Sequence, residues 1–237
     1  MLGLLVLDTA FPRLPGDVGA AGTFAFPVRH AVVRGAGVEA VVHAPDPALL
    51  PHFVAAARTL QDAGCIAIAT TCGFLAAWQD ALAAQIDVPV LTSALFQLPL
   101  VQRTLPRHRC VGVVTYSADA LTPAILAAAG APASTPVAGV DPHGYFARSI
   151  RNGADVLDPV HMRDDVVAAA RGIVDRHPDI GALVLECANM PPYAQAVARA
   201  VARPVFDAVD AITWFYAGVA RPAAGTGADA AWPRLPP

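Results

Sequence analysis

An apolar run leads into a cysteine twice in this chain, in "IATTCGF" at residues 68–74 and in "LVLECAN" at residues 183–189. One offset of 115 residues carries Cys72 onto Cys187 and Pro89 onto Pro204. At that offset "CIAIATTC" lies over "IGALVLEC" and "IDVPVLTSALFQ" over "VARPVFDAVDAI", so strand, cysteine turn, helix, proline and short strand recur in order. The opening strands, "LGLLVLDT" and "VGVVTYS", also correspond, with Gly3 falling on Gly112 at an offset of 109. Such a repeat restricts the chain to two lobes of similar fold.

Short runs of Val, Ile, Leu and Ala alternate with Ala-rich amphipathic segments, the pattern of parallel strands covered by helices. The expected class is α/β, with two pseudo-symmetric lobes, each a parallel sheet flanked by helices, and an active site in the cleft between them. Strands are expected at 2–8, 38–43, 65–70, 110–115 and 182–186, with short ones near Val90 and Val205. Helices are expected at about 47–63, 74–86, 94–104, 118–129, 162–177, 191–201 and 208–219. The division that follows puts residues 1–93 with 206–220 in the N-terminal lobe and 94–205 in the C-terminal lobe. The Pro-, Gly- and Ala-rich residues 221–237 read as a mobile tail. "FPRLPGDVGAAGTFAFPVRH" and "GVDPHGYFARSIRNGADVLDP" fit neither period, and loops of that length in compact domains are usually lids or binding loops.

Sixteen Lys and Arg against 19 Asp and Glu give a net charge of −3, with the basic residues scattered singly, so nucleic acid finds no electrostatic footprint. No run approaches the ~18 to 20 apolar residues of a membrane span, and the opening "MLGLLVLDTAF" is interrupted by Asp8 and follows no basic segment. A cytoplasmic protein is expected, without nucleic-acid or membrane partners; a homo-oligomer is left open. The four cysteines form no C-x-x-C pair and should be reduced thiols, with Cys65 and Cys110, inside strands, serving as small buried hydrophobes.

Cys72 and Cys187 each stand where a strand ends and a helix begins, with free backbone N–H groups following. That field is expected to lower a thiol pKa from its usual ~8.5. A thiol so placed accepts a proton as thiolate and donates one as thiol, and two facing each other can act on opposite sides of one carbon. No metal or pyridoxal phosphate is needed for such chemistry.

On "DT" after the first strand, "TTCGF", "VVTYS" and "ECANMPPY", residues 1–220 resemble the aspartate/glutamate racemase superfamily, a broad group that includes hydantoin racemases, maleate cis-trans isomerases and arylmalonate decarboxylases. The resemblance implies a cofactor-independent racemase or epimerase, an isomerase in which Cys72 and Cys187 form the acid/base pair at a carbon alpha to a carboxylate or amide. It also implies that Asp8, Thr9, Thr71, Gly73, Phe74, Thr115, Tyr116, Ser117, Ala188 and Asn189 bind the small carboxylate or amide substrate. Glutamate racemases differ in having Asp-Ser-Gly near the start, Asn-Thr after the first cysteine and Thr-His after the second, which points away from free glutamate. The second motif, Cys-x-Asn-Met-Pro, is more similar to maleate cis-trans isomerases, in which one cysteine adds covalently to an alkene. Retention of Cys72 separates the chain from the decarboxylases, which keep only the second cysteine. A small-molecule-binding protein without chemistry is the third reading.

Other residues carry weaker signals. Arg13, Asp17 and Arg29 lie in the first long loop and read as solvated charges. Strand alternation directs Glu186 away from Cys187, toward a structural or supporting role. The seven histidines form no metal-binding spacing, and "GDVGAAG" lacks the strand-glycine-helix setting of a nucleotide site.

Overall fold

A computed structural model describes residues 1–221, so the tail expected at 221–237 lies, Arg221 apart, outside the described residues. The strands are β1 (Leu2–Leu7), β2 (Val28–Val33), β3 (Ala67–Thr70), β4 (Val90–Leu91), β5 (Cys110–Thr115), β6 (Val137–Gly139), β7 (Ile180–Leu185) and β8 (Val205–Phe206). The helices are α1 (Leu50–Asp62), α2 (Gln79–Ala83), α3 (Leu98–Thr104), α4 (Pro123–Ala128), α5 (Tyr145–Asn152), α6 (Pro159–Arg176), α7 (Ala194–Val201) and α8 (Ala208–Val219). They build two four-stranded sheets, ordered β2-β1-β3-β4 and β6-β5-β7-β8, in which every pairing is parallel. The two orders are the same once β1 is equated with β5, as the repeat requires.

Central strands of a parallel sheet are covered on both faces, and β3 and β7 are accordingly buried along nearly their whole length and apolar except for Thr70 at the end of β3. Gly3 on β1 and Gly112 on β5 hold equivalent places: a Cβ would lie 2.7 Å from Ile68 Cδ1 in the first sheet and 2.8 Å from Ile180 Cδ1 in the second. The covering helices follow the 3.6-residue period. α1 buries Phe53, Val54, Ala57 and Leu60, and α6 buries Met162, Val166, Ala170 and Ile173. Proline at the first turn and the Asp158 side chain, which accepts from the Val160 and His161 N–H groups, start α6 where they do.

Four elements stand outside the expectations. The segment expected as a strand at 38–43 is a π-helical turn, Glu39–His43, which buries Val41 and Val42. The second strand is instead β2, an edge strand on which Arg29 and His30 stay exposed, so it lacks the apolar signature of its neighbours. The second long irregular stretch contains β6 at its edge and, within it, α5, an eight-residue helix that buries Phe146, Ala147, Ser149 and Ile150 and ends on Gly153 at φ 62°.

The first long loop crosses from the first sheet to the second lobe. The Val18 N–H donates to the Ala188 carbonyl at 3.1 Å, and Gly16 lies against Pro192. Further along, Phe24 stacks on Phe26 and Phe26 on Tyr216 of α8, with ring centroids 5.1 and 4.1 Å apart. Among the described residues no helix is long and apolar enough to cross a membrane.

Candidate active site

The site forms beyond the carboxyl ends of β3 and β7, where ligands bind in open parallel sheets. Cys72 is extended, at φ −149° and ψ 114°, and stands at the N-cap of the short 3₁₀ helix Gly73–Trp78. The Thr70 hydroxyl fixes this turn by donating to the Thr92 carbonyl at 2.6 Å and accepting the Cys72 N–H at 3.4 Å. The two cysteine turns close alike: the Leu75 N–H donates to the Cys72 carbonyl at 3.2 Å, and the Met190 N–H to the Cys187 carbonyl at 3.0 Å.

Both thiols line one narrow pocket of about 30 Å³, with Leu7, Val38, Val42, Thr71, Phe74, Tyr116, Ile150, Glu186, Ala188 and Asn189. Of the residues expected at the site, Cys72, Cys187, Thr71, Phe74, Tyr116, Ala188 and Asn189 thus meet at one place. Asp8 and Thr9 line an adjoining hollow, where Asp8 accepts the Gly35 N–H at 3.0 Å and faces Arg34 at 3.8 Å. Ser117 lines a second hollow with His43, Tyr116 and Arg151. The Tyr116 hydroxyl is buried and has no hydrogen-bond partner.

Glu186 occupies the space between the cysteine turns. β7 ends at Leu185, so the alternation used to turn Glu186 away from the site stops one residue before it. Its carboxylate accepts from the Thr115 hydroxyl at 2.8 Å and faces the backbone N–H groups of Tyr116, Gly73 and Phe74. Gly73 belongs here because a Cβ would lie 2.8 Å from the Glu186 carbonyl oxygen. The Thr115 hydroxyl and the N–H groups of Gly73 and Phe74, expected to hold a substrate carboxylate, therefore serve Glu186. Burial raises the Glu186 pKa to about 7 against those hydrogen bonds.

Burial also reverses the expected direction of thiol ionisation. Desolvation, then the Glu186 charge, push the Cys72 pKa up, against the N–H groups of Phe74 and Leu75 and the Arg13 charge. Desolvation, Glu186, Cys72 and Asp17 push Cys187 up, against the N–H of Asn189. The helix-start field is present at both sulfurs, but a thiolate enclosed beside a carboxylate loses more hydration than two N–H groups return.

Asp17 is the second residue that sequence reading missed. Expected as a solvated loop charge, it is 3% exposed. It accepts from the Gly19 N–H at 2.7 Å, from Arg13 at 3.4 Å and from the Asn189 side-chain amide. Arg13 in turn donates to Thr9 at 3.0 Å and lies 4.6 Å over the Phe11 ring. Arg29 stays exposed on β2, as expected. Among the described residues no group of three or more His, Cys, Asp or Glu could hold a metal ion.

Fold and site together define a two-lobed α/β protein with paired cysteines at the sheet ends. Residues 31–216 match the profile of the Asp/Glu/Hydantoin racemase family, and the chain belongs to that family. Among sequences it is similar to dimethylsulfoniopropionate lyase 7 of Emiliania huxleyi, 30% identical over 92% of this chain and 67% of that one. A dimethylsulfoniopropionate lyase of Durusdinium sp. clade D is 27% identical over 92% of this chain and 74% of that one. Among solved structures, allantoin racemase from Klebsiella pneumoniae superposes with a TM-score of 0.63 at 18% identity, over 92% of this chain and 87% of that one. An arylmalonate decarboxylase mutant also gives 0.63 at 18% identity, over 92% and 93% of the chains. Glutamate racemase from Bacillus anthracis gives 0.59 at 13% identity, over 92% and 80%. The structural likenesses speak for the fold.

Proposed function

We propose that the chain is an enzyme that removes the proton alpha to a carboxylate of a small acid, with Cys72 and Cys187 as the protein groups that handle protons and no cofactor. The observation that carries this reading is the lining of one pocket by two thiols from equivalent turns of the two lobes. Of the two fates open to the resulting carbanion, we place β-elimination first, a lyase reaction on a substrate of the dimethylsulfoniopropionate type. The base takes the α proton, its electron pair becomes the new carbon–carbon π bond, and the β carbon–sulfur bond breaks. Dimethyl sulfide leaves with that bond's electrons, and acrylate remains. The sequence relatives named above support this choice, and charge supports a substrate that carries a cationic group. A purely anionic substrate would push both thiols further from ionisation, whereas a sulfonium beside a buried thiol pulls its pKa down.

Racemisation or epimerisation of a zwitterionic acid is the second reading, favoured by the equivalent placement of the thiols, since it needs one proton taken and one returned from behind. Proton NMR in heavy water separates the two. With dimethylsulfoniopropionate, the first reading predicts acrylate and dimethyl sulfide. With a panel of chiral 2-amino and 2-hydroxy acids and hydantoins, the second predicts α deuteration with loss of optical activity and no alkene. Absence of both throughout the panel would contradict the carbon-acid reading.

A further inference from the structure

The two thiols stand at equivalent places but have different neighbours. The offset of 115 that carries Cys72 onto Cys187 carries Phe74 onto Asn189. Burial and the Glu186 charge disfavour a thiolate at both sulfurs; what differs is the rest of the surroundings, and beside Cys72 these are the N–H groups of Phe74 and Leu75, which favour a thiolate. Beside Cys187 stands the Asn189 carboxamide, whose Oδ1 accepts from the Cys187 Sγ at 3.6 Å, although the Asn189 backbone N–H also faces that sulfur. A carbonyl oxygen can accept a proton from a thiol and can only repel a thiolate.

The orientation of that carboxamide is set from the other lobe. An ionised carboxylate is acceptor-only, so Asn189 must turn its Nδ2 to Asp17, and Oδ1 is thereby left for Cys187. Asp17 is itself held by the Gly19 N–H and Arg13, and its loop is tied to the same turn through the Val18 N–H and the Ala188 carbonyl. Asp17 and Asn189 are 3% and 9% exposed, so water has little access to replace either contact.

We propose that Asp17 is a positioning residue that fixes the Asn189 carboxamide and so keeps Cys187 as the protonated member of the pair, leaving Cys72 to act as the base. The inference rests on the proton-transfer reading above and deepens it: a pair with one base and one fixed thiol suits elimination, which needs only one proton removed. The charged or titratable groups around Asp17 are Arg13 of its own loop and Cys187 and Tyr193 of the second lobe. Burial raises the Asp17 pKa above its ordinary value, while the Arg13 charge, the Asn189 amide and the Gly19 N–H pull against that rise and favour the ionised carboxylate that the device needs.

The test needs no substrate, so its failure is distinguishable from failure of the proposed reaction. The free protein is alkylated with iodoacetamide across pH, and the Cys72 and Cys187 peptides are followed separately by mass spectrometry. In Asp17→Asn an amide faces the Asn189 amide, Asn189 turns over, and Nδ2 meets the sulfur. Cys187 labelling at a given pH should then rise by about tenfold, one pH unit in its profile, while the Cys72 profile stays. Asn189→Ala, which removes the acceptor, should move Cys187 in the same direction and serves as the second variant should Asp17→Asn not fold by circular dichroism. An unmoved Cys187 profile in a folded variant, or equal acceleration of Cys72 and Cys187, would overturn the proposal.

Discussion

Glu186 shows how much one buried carboxyl can decide. Its folded pKa of about 7 stands above an ordinary value of 4.5, so the native state holds the proton more tightly than the unfolded chain does. The stability this gives is complete below about pH 4.5 and is lost as pH rises through about 7, a difference on the order of 3 kcal/mol. Thermal melts of Glu186→Gln should therefore show a flatter pH dependence between 4.5 and 7 than the parent protein. Equal slopes would mean that Glu186 does not carry the shift. Gly73→Ala drives a methyl group into the Glu186 backbone and should cost about 1–3 kcal/mol in a denaturant melt, with loss of turnover because the Cys72 turn must move. The cysteines were legible because they stand at strand ends that the repeat marks twice, whereas Thr71, Tyr116 and Asn189 were named only through the family resemblance of the motifs around them. Asp17 and Glu186 were not: whether the Asp17 loop carboxylate is solvated or covered depends on a segment more than 170 residues away in sequence, and Glu186 stands one residue past the end of β7, where strand alternation no longer tells which way a side chain turns.

At the scale of elements, the first long loop works as a strap between the lobes. It is joined to the second cysteine turn by the Val18 N–H and by Asp17, and to α8 by the stacked Phe24, Phe26 and Tyr216 rings. α8 is set by a capping box. The Asp207 side chain accepts from the Val209 and Asp210 N–H groups at 2.7 and 3.2 Å, and the Asp210 side chain accepts the Asp207 N–H at 3.1 Å. Asp207 is buried, and its carbonyl accepts from Gln97 at 2.8 Å, so Asp207→Ala should cost about 1–2 kcal/mol of stability, read as a lowered urea midpoint. An unchanged midpoint would show that the cap is replaced by water. Strands buried on both faces and helices with a clean apolar stripe could be read from composition and period, and β1, β3, β5 and β7 were found close to their bounds. β2 and α5 escaped for opposite reasons. An edge strand need not be apolar, and a helix of eight residues between glycines offers two turns of periodicity, too few to stand out from its loop.

The whole molecule is two copies of one four-stranded parallel sheet, and this symmetry was legible because a single offset aligns cysteine, proline and strands. What symmetry does not convey is the chemical difference between the halves, Phe74 against Asn189 and a strap that is tied to the second cysteine turn. The central claim is that the two thiols together handle the proton alpha to the carboxylate of a small acid, with Cys72 as the base. The most direct measurement is the rate of α-proton removal in heavy water, followed by NMR as alkene formation or as α deuteration on a substrate found as described above, for the parent protein, Cys72→Ala and Cys187→Ala, each checked for folding by circular dichroism. Cys72→Ala should show no proton removal above background, and Cys187→Ala should be slowed by about 10²-fold or more, within the range that one acid/base group contributes. Proton removal at the parental rate in either folded variant would contradict the account.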